Sequence, residues 1–463
     1  MLINNKIEAR KNDAILEFQY ILTTYIKPLL QCEGKLIFKD KKTINHKLKK
    51  YISCYKNGQS FYLYFFPSLE TPQFHYRILT KNPKQKLGIA EKILREIMLV
   101  SNFDYRNSDF SLLNFYDTKQ YVYRNARFDV AYELGLCNWL GSNCLYELIQ
   151  RLYDWAQKTY EGNHMSFSFL IDSSNKLIGT TNYVKFLKND HSAVFTDAIS
   201  SGIKLDSNGN IIEYFSTAHK HSDDKHTAWA PYEFIDFASL CDSGWIGVIM
   251  QNNGDILIFK KRSLVFAKRN GKWAYLNSFT IQTTVEKFYE RQSDDSSKKF
   301  ADEVHSSVLD TSFAHTGGCI AIIKKEYCND VLKTHFLKDA LTAVDPKNEK
   351  KAIVQRLINA GSLNEAEPYF QHLDRKLRLE LLSLDGATVL DSSGKILCVG
   401  AIVRIDGGSD GGGRLAATKE LAKYGLAIKI SEDGGIQGFS STTPSDDAQT
   451  LFKTFLNKEE DNA

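Results

Sequence analysis

The residues best suited to chemistry lie toward the C-terminal end of the chain. Asp406–Lys419 reads DGGSDGGGRLAATK, with Gly407, Gly408, Gly411, Gly412 and Gly413 standing ahead of Arg414 and a helical pattern. A loop so rich in glycine lets its backbone come close to another group. Placed before a helix N-terminus, it exposes unpaired N–H groups and the positive end of the helix dipole, which together cradle an anion. Arg414 adds a fork-shaped cation that suits a phosphate. Read by itself, the same loop is equally a hairpin tip, because glycine turns are common. It is not a Walker A loop, since no Gly-Lys-Ser/Thr is present and Thr418-Lys419 stand in the reverse order. Two carboxylates accompany it. Asp385 opens Asp385-Gly386-Ala387, and Glu432 follows Ser431 in SEDGG, Ser431–Gly435. Carboxylates at strand ends can bind a divalent metal or take a proton from a hydroxyl. Their ordinary readings are a turn aspartate and a solvated glutamate.

These residues need elements to hold them. In LSLDGATVLDSSGKILCVGAIVRI (Leu382–Ile405), ATVLD and KILCVGAIVRI read as two strands joined by the SSG turn. ILCVGAIV is continuously apolar, as in a strand covered on both faces. RLAATKELAKYG then reads as a helix capped by Gly425, and LAIKI as a strand running into SEDGG. The order is strand, hairpin, strand, glycine loop, helix, strand. In open α/β sheets ligands sit in the crevice beyond the carboxyl ends of strands.

This arrangement resembles the diadenylate cyclase domain, the nucleotide-binding domain also found in DNA integrity scanning proteins. Asp385-Gly386-Ala387 matches the family's D-G-A motif. Gly411 and Ala416-Ala417 match the leading glycine and paired alanines of G-T-R-H-R-A-A. Ser431-Glu432 is similar to the start of S-E-E-T-G, and HTGGCIAIIKK (His315–Lys325) to the family's first core strand. The resemblance covers roughly residues 285–443. Where the family has Thr-Arg-His-Arg, this chain has Gly412-Gly413-Arg414-Leu415, one basic residue in place of three. The resemblance implies condensation of two ATP into cyclic di-AMP, each 3′-hydroxyl attacking the other's α-phosphate with Mg²⁺ or Mn²⁺. Such a reaction is mostly positioning and charge neutralisation. It implies Asp385 and Glu432 as catalytic residues and metal ligands. Gly386, Ala387, Gly411, Gly412, Gly413, Arg414 and Ser431 are then the nucleotide contacts. A homodimer or higher oligomer with cyclase domains face to face is implied as well. The alternative is a catalytically inactive module that binds a nucleotide or cyclic dinucleotide in a regulatory role.

The rest of the chain bounds these readings. With 463 residues it is too long for one ordinary core, so more than one domain is expected. Hydrophobic and charged contents of 43% and 25% are globular values. A net charge of +4 is too mild to call for nucleic acid, which is not expected as a partner. No apolar run suits a signal peptide or a membrane span, so no membrane association is expected. Cys32, Cys54, Cys137, Cys144, Cys241, Cys319, Cys328 and Cys398 occur singly, without C-x-x-C pairs; reduced thiols and a cytoplasmic setting fit best.

We expect an α/β chain: an α+β N-terminal sensor or regulatory region over 1–280, with a further split near 130 as one option, then a mixed-sheet cyclase-like domain over 281–463. AILEFQYILTTYIKPLLQ and KQKLGIAEKILREIMLV repeat at helical spacing, and so does NCLYELIQRLYDWAQKTYEG, with Gly162 as its terminator. GQSFYLYFFPSL reads as strand. SSN after MSFSFLID is a turn signal between two apolar runs. GWIGVIMQNNGDILIFKKRSLVFAKRNGKWAYLNSF reads as a β-meander with Asn-Gly turns at 253–254 and 270–271. IQTTVEKFYERQSDDSSKKFADEVHSSVLD is helical with a break at SDDSSKK, and GGCIAII is a buried strand. HKHSDDKH (His219–His226) reads as a polar loop rather than a metal site. Lys39–Lys56 reads as a solvated face and Phe61–Phe66 as core. No repeat of 20–50 residues is visible.

Overall fold

The computed structural model describes residues 24–25, 34–39, 52–57, 60–65, 73–79, helical positions at 89, 92–93 and 96–97, and residues 118–454. Positions 175, 218–228, 243, 270, 277, 291–293, 337, 342–348, 362–368 and 405–411 are excepted. His219–His226 and Gly411 therefore lie outside the described residues. The protein is a mixed α/β chain with two large mixed sheets. Contacts divide it into two compact units, Met1–Ser216 with Ser243–Ile256, and Thr217–Asp242 with Leu257–Ala463. No described helix is long and apolar enough to cross a membrane.

In the first unit, β1 (Gly34–Lys39), β2 (Ile52–Asn57), β3 (Ser60–Phe65) and β4 (Gln73–Leu79) form an antiparallel sheet in the order β1-β4-β3-β2. Helices α1 (Thr118–Leu140) and α2 (Leu145–Ala156) follow. Leu145, Leu148, Ile149, Leu152 and Trp155 recur at helical spacing and are all buried, which is why the pattern reads so clearly. Helix α2 ends at Ala156, six residues before Gly162. Glu161 and Gly162, both at positive φ (49° and 82°), instead turn a short hairpin between β5 (Thr159–Tyr160) and β6 (Asn163–His164). The strands β7 (Phe167–Asp172), β8 (Ser201–Leu205), β9 (Ile211–Ser216) and β10 (Trp245–Met250) run in the order β10-β7-β8-β9. The apolar run after β7 does not form a strand. Asp172 draws the backbone N–H groups of Ser174, Lys176 and Leu177 onto its carboxylate, leaving Leu177 and Ile178 exposed.

The second unit holds β11 (Ile256–Lys260) from Leu257 onward, β12 (Ser263–Arg269) and β13 (Lys272–Tyr275), with β12 antiparallel to β13. Helices α3 (Ser278–Glu286) and α4 (Asp294–Phe313) come next, so SSKK lies inside α4 and the break falls just before it. Then follow β14 (Gly318–Ile323), α5 (Glu349–Gly361), α6 (Arg375–Leu382), β15 (Ala387–Asp391) and β16 (Ile396–Ala401). Last come α7 (Gly413–Ala422), β17 (Gly425–Ile430), β18 (Ile436–Ser440) and β19 (Gln449–Thr454). The sheet order is β16-β15-β14-β17-β18-β19. Only β14 and β15 pair in parallel; every other neighbouring pair is antiparallel.

Strand β14 is buried along its whole length. Cys319, Ala321 and Ile323 join Ala387, Ala401, Ala427, Leu415 and Leu421 in one core beneath α7. Alternation turns Ile320 and Ile322 to the opposite face, which explains an unbroken apolar run. The alanines keep the α7 side shallow, so the helix approaches the sheet closely. Gly425 is the first residue of β17 rather than a helix cap, because a Cβ there would strike the carbonyl oxygen of Ile322 in β14.

Helices α4 and α6 meet through ion pairs. Arg375 binds Asp310 with Nε at 2.7 Å and Nη2 at 2.8 Å, and also donates to the Ala230 carbonyl at 2.7 Å. Arg378, buried, reaches Glu303, Ser307 and the Leu373 carbonyl. Asp374 caps α6 by accepting from the N–H groups of Lys376 and Leu377. His305 on α4 is 1% exposed and packs edge-on against Trp229. Burial first, and the Arg375 charge second, hold His305 down at about 3.

Two outcomes follow for stability. Asp310→Ala leaves the Arg375 guanidinium uncompensated and lowers stability by about 3–5 kcal/mol in urea unfolding. His305 stays neutral in the folded chain but protonates in the unfolded chain near pH 6.5. Its contribution is therefore present above that pH and lost as pH falls toward 3, at up to about 1.4 kcal/mol per pH unit. His305→Leu flattens the stability profile between pH 6.5 and 4; a profile unchanged by the substitution assigns the acid sensitivity elsewhere.

Candidate functional site

The pairing of β14 decides where the motifs meet. Ile320 stands opposite Thr388 in the parallel ladder, and Gly318 opposite Ile430 in the antiparallel one. Continued outward, both registers bring Asp385 and Ser431 to either side of Gly317. The start of β15, the end of β17 and the start of β14 thus share one edge of the sheet. Helix α7 lies over that sheet and begins beside it. Thr316 Oγ1 and Ser383 Oγ, 2.8 Å apart, tie the two entering segments together.

Arg414, in the first turn of α7, reaches to this edge. Its Nη1 is 3.6 Å from Glu432 Oε1. The guanidinium lies where a side chain at position 317 would project, and the Glu432 Cγ is 3.2 Å from the same point. Gly317, at φ +66°, is therefore the floor on which the Arg414–Glu432 pair rests. In the sequence this role is marked by nothing more than the paired glycine of HTGG before the apolar run.

The other expected residues fall as follows. Gly386 has φ +102°, and a Cβ there would meet the Gly400 and Ala401 backbone, so both sterics and conformation call for glycine. Ala387 is buried and pairs with Ala401 across β15 and β16. Asp385 is exposed at the same edge. Ser431 is buried, its N–H bonded to the Gly435 carbonyl at 2.8 Å, while its Oγ is buried without a protein partner. Gly412 caps α7 at φ +90°; among the described residues no side chain caps the helix, and none lies within 4 Å of a Cβ built on Gly412 or Gly413. By helix geometry the first-turn N–H groups then face outward, together with the positive dipole end. Leu415, by contrast, is buried in the core. Cys319, which bonds Thr418 beneath this end of α7, has its thiol pushed up to about 11 by burial, which makes it a packing residue rather than a nucleophile.

Asp385 and Glu432 stand on segments separated by β14, so their backbones are about two inter-strand spacings apart, roughly 10 Å. Among the described residues, no group of three or more His, Cys, Asp or Glu is assembled to hold a metal ion. The donor set does not make an all-protein cage. It fits a hard divalent cation held by one or two carboxylates and completed by phosphate oxygens and water, the habit of Mg²⁺. Neither a protein-family model nor a curated protein sequence matches the chain.

The two kinds of glycine are separable by experiment. Gly386→Ala is strained and overpacked and costs about 1–3 kcal/mol or more. Gly413→Ala, in helical backbone with open space, raises stability by about 0.5 kcal/mol. Urea unfolding of both variants measures the contrast.

Proposed function

We propose that the second unit binds ATP at this sheet edge and condenses two ATP molecules into cyclic di-AMP, as the resemblance to diadenylate cyclases implies, each 3′-oxygen displacing pyrophosphate from the other's α-phosphorus so that two pyrophosphates leave. The observation that carries the reading is the convergence of three separated motifs. Asp385, Glu432 and the uncapped start of α7 with Arg414 come to one edge around Gly317. In this reading the α7 N–H groups and Arg414 hold the phosphates, and Gly412 and Gly413 let them approach. Asp385 takes the proton of the attacking 3′-hydroxyl or helps hold the divalent cation, and Glu432 orients Arg414. A bound Mg²⁺ or Mn²⁺ supplies neutralisation of phosphate charge. Because each nucleotide must attack the other, two copies of the chain face each other through these edges. Residues before the cyclase-like region act as a sensor or regulatory region in a cytoplasmic protein.

A second reading is favoured by one observation, the burial of Leu415. The family's last basic clamp position here faces the core, and Gly413 supplies none. Arg414 alone then serves for binding, and the site holds a nucleotide or cyclic dinucleotide without turning it over.

Purified full-length chain incubated with ATP and Mg²⁺ or Mn²⁺, with products read by mass spectrometry, separates these readings. The cyclase reading expects cyclic di-AMP, abolished by Asp385→Asn. Bound nucleotide without product supports the binding module. In either case Arg414→Ala weakens ATP binding about ten- to a hundredfold, the loss of charge-assisted hydrogen bonds. A chain that neither binds nor converts ATP refutes both.

A further inference from the structure

Arg269 ends β12, immediately before the turn into β13, and is 5% exposed. Its guanidinium reaches the end of α4, with Nη1 3.0 Å from Ser312 Oγ and Nη2 3.1 Å from the Ser312 carbonyl. It also lies over the Phe313 ring, 4.5 Å from the centroid. Nη2 is 3.0 Å from His315 Nε2. From these contacts two arms extend to the turn that carries Glu432. Ser312 Oγ donates to the Gly434 carbonyl at 2.6 Å, and His315 Nδ1 is 3.1 Å from the Glu432 carbonyl. Nη2 also lies 3.3 Å from His315 Nδ1; because arginine only donates and a carbonyl only accepts, the contacts fit the tautomer whose Nδ1–H donates to the Glu432 carbonyl while Nε2 accepts from Nη2.

The turn itself is closed by Ser431 N–H to Gly435 O at 2.8 Å and Gly434 N–H to Ser431 O at 2.9 Å. Gly434 has φ +87°, and a Cβ there would fall on the Arg269 guanidinium. Guanidinium and turn backbone are thus packed directly on each other, with no side chain between them.

We infer that Arg269 is a positioning residue for the candidate site, setting through Ser312 and His315 the backbone of Ser431–Gly435 and with it the place of Glu432 beside Arg414. The inference rests on the nucleotide reading above. It adds an element that reading does not contain, because the β12–β13 hairpin precedes the stretch that carries the family resemblance. A turn that is ordered before the ligand arrives spares binding the cost of ordering it. The hairpin therefore acts on affinity without touching the ligand.

The test uses the full chain with ATP and Mg²⁺ as the probe, together with amide hydrogen exchange over residues 431–435. Arg269→Lys keeps the charge but loses the fork. His315→Ala, at an exposed position, removes one arm and leaves the Arg269–Ser312–Gly434 arm in place. Both variants are expected to speed exchange of the turn amides and to weaken Mg-ATP binding about tenfold. His315→Asn, which can donate and accept and tolerates φ +54°, restores most of both. Lys268→Ala, on the same hairpin and stacked on Trp273, leaves both readings at the wild-type level. Wild-type exchange and affinity in Arg269→Lys and His315→Ala overturn the assignment. Faster exchange with unchanged affinity overturns the link from turn to ligand. A wild-type chain that binds no Mg-ATP overturns the nucleotide reading, and with it this role.

Discussion

The second unit depends on the two-sided pairing of β14. Parallel to β15 and antiparallel to β17, this strand forces the start of one neighbour and the end of the other to the same edge. The chain between those points is long and varied, yet the ladder hydrogen bonds leave its ends no other destination. Small side chains beneath α7 complete the constraint. Cys319, Ala321, Ala387 and Ala427 let the helix settle close enough that a first-turn arginine reaches Gly317.

Glycine does several kinds of work in this unit, and the kinds have different physical causes. At Gly386 and Gly425 backbone from a neighbouring strand occupies the space of a Cβ. At Gly317 and Gly434 an arginine guanidinium occupies it, Arg414 in one case and Arg269 in the other. Each of these four glycines is already filled by the protein itself. Gly412 and Gly413 differ, since no described residue lies within 4 Å of where their side chains would begin. Room of that kind at a helix start is what the anion-binding proposal requires of these two positions.

Elements whose cause is local were legible from the residues. The period of α2, the SSG turn between β15 and β16, and the unbroken apolar run of β14 each follow from their own few residues. Elsewhere the structure gives residues another part than their spacing suggests. Gly425 looked like a helix cap but serves the close approach of β17 to Ile322. Gly162 looked like the end of α2 but turns a small hairpin. The apolar Leu177 and Ile178 after the SSN turn stay outside the sheet, because the Asp172 carboxylate winds the preceding backbone into a turn. In the site, Asp385, Glu432 and Arg414 could be nominated because carboxylate, glycine and arginine announce their chemistry by type. Gly317, Ser312 and His315 could not, because their parts are played through contacts with residues far along the chain.

By itself, the order of amino acids marked β14, the β15–β16 hairpin, α7 and β17, and the short motifs at their ends. Residue type and spacing act over a few positions, and that range suffices for turns, caps and buried runs. Tertiary structure alone decided that β14 would pair in parallel with one neighbour and antiparallel with the other, and that Arg414 would lie on Gly317. It likewise decided that an arginine from an earlier hairpin would grip the turn bearing Glu432. Those outcomes come from ladder register and from the room left by small side chains, quantities that exist only once distant segments are packed together.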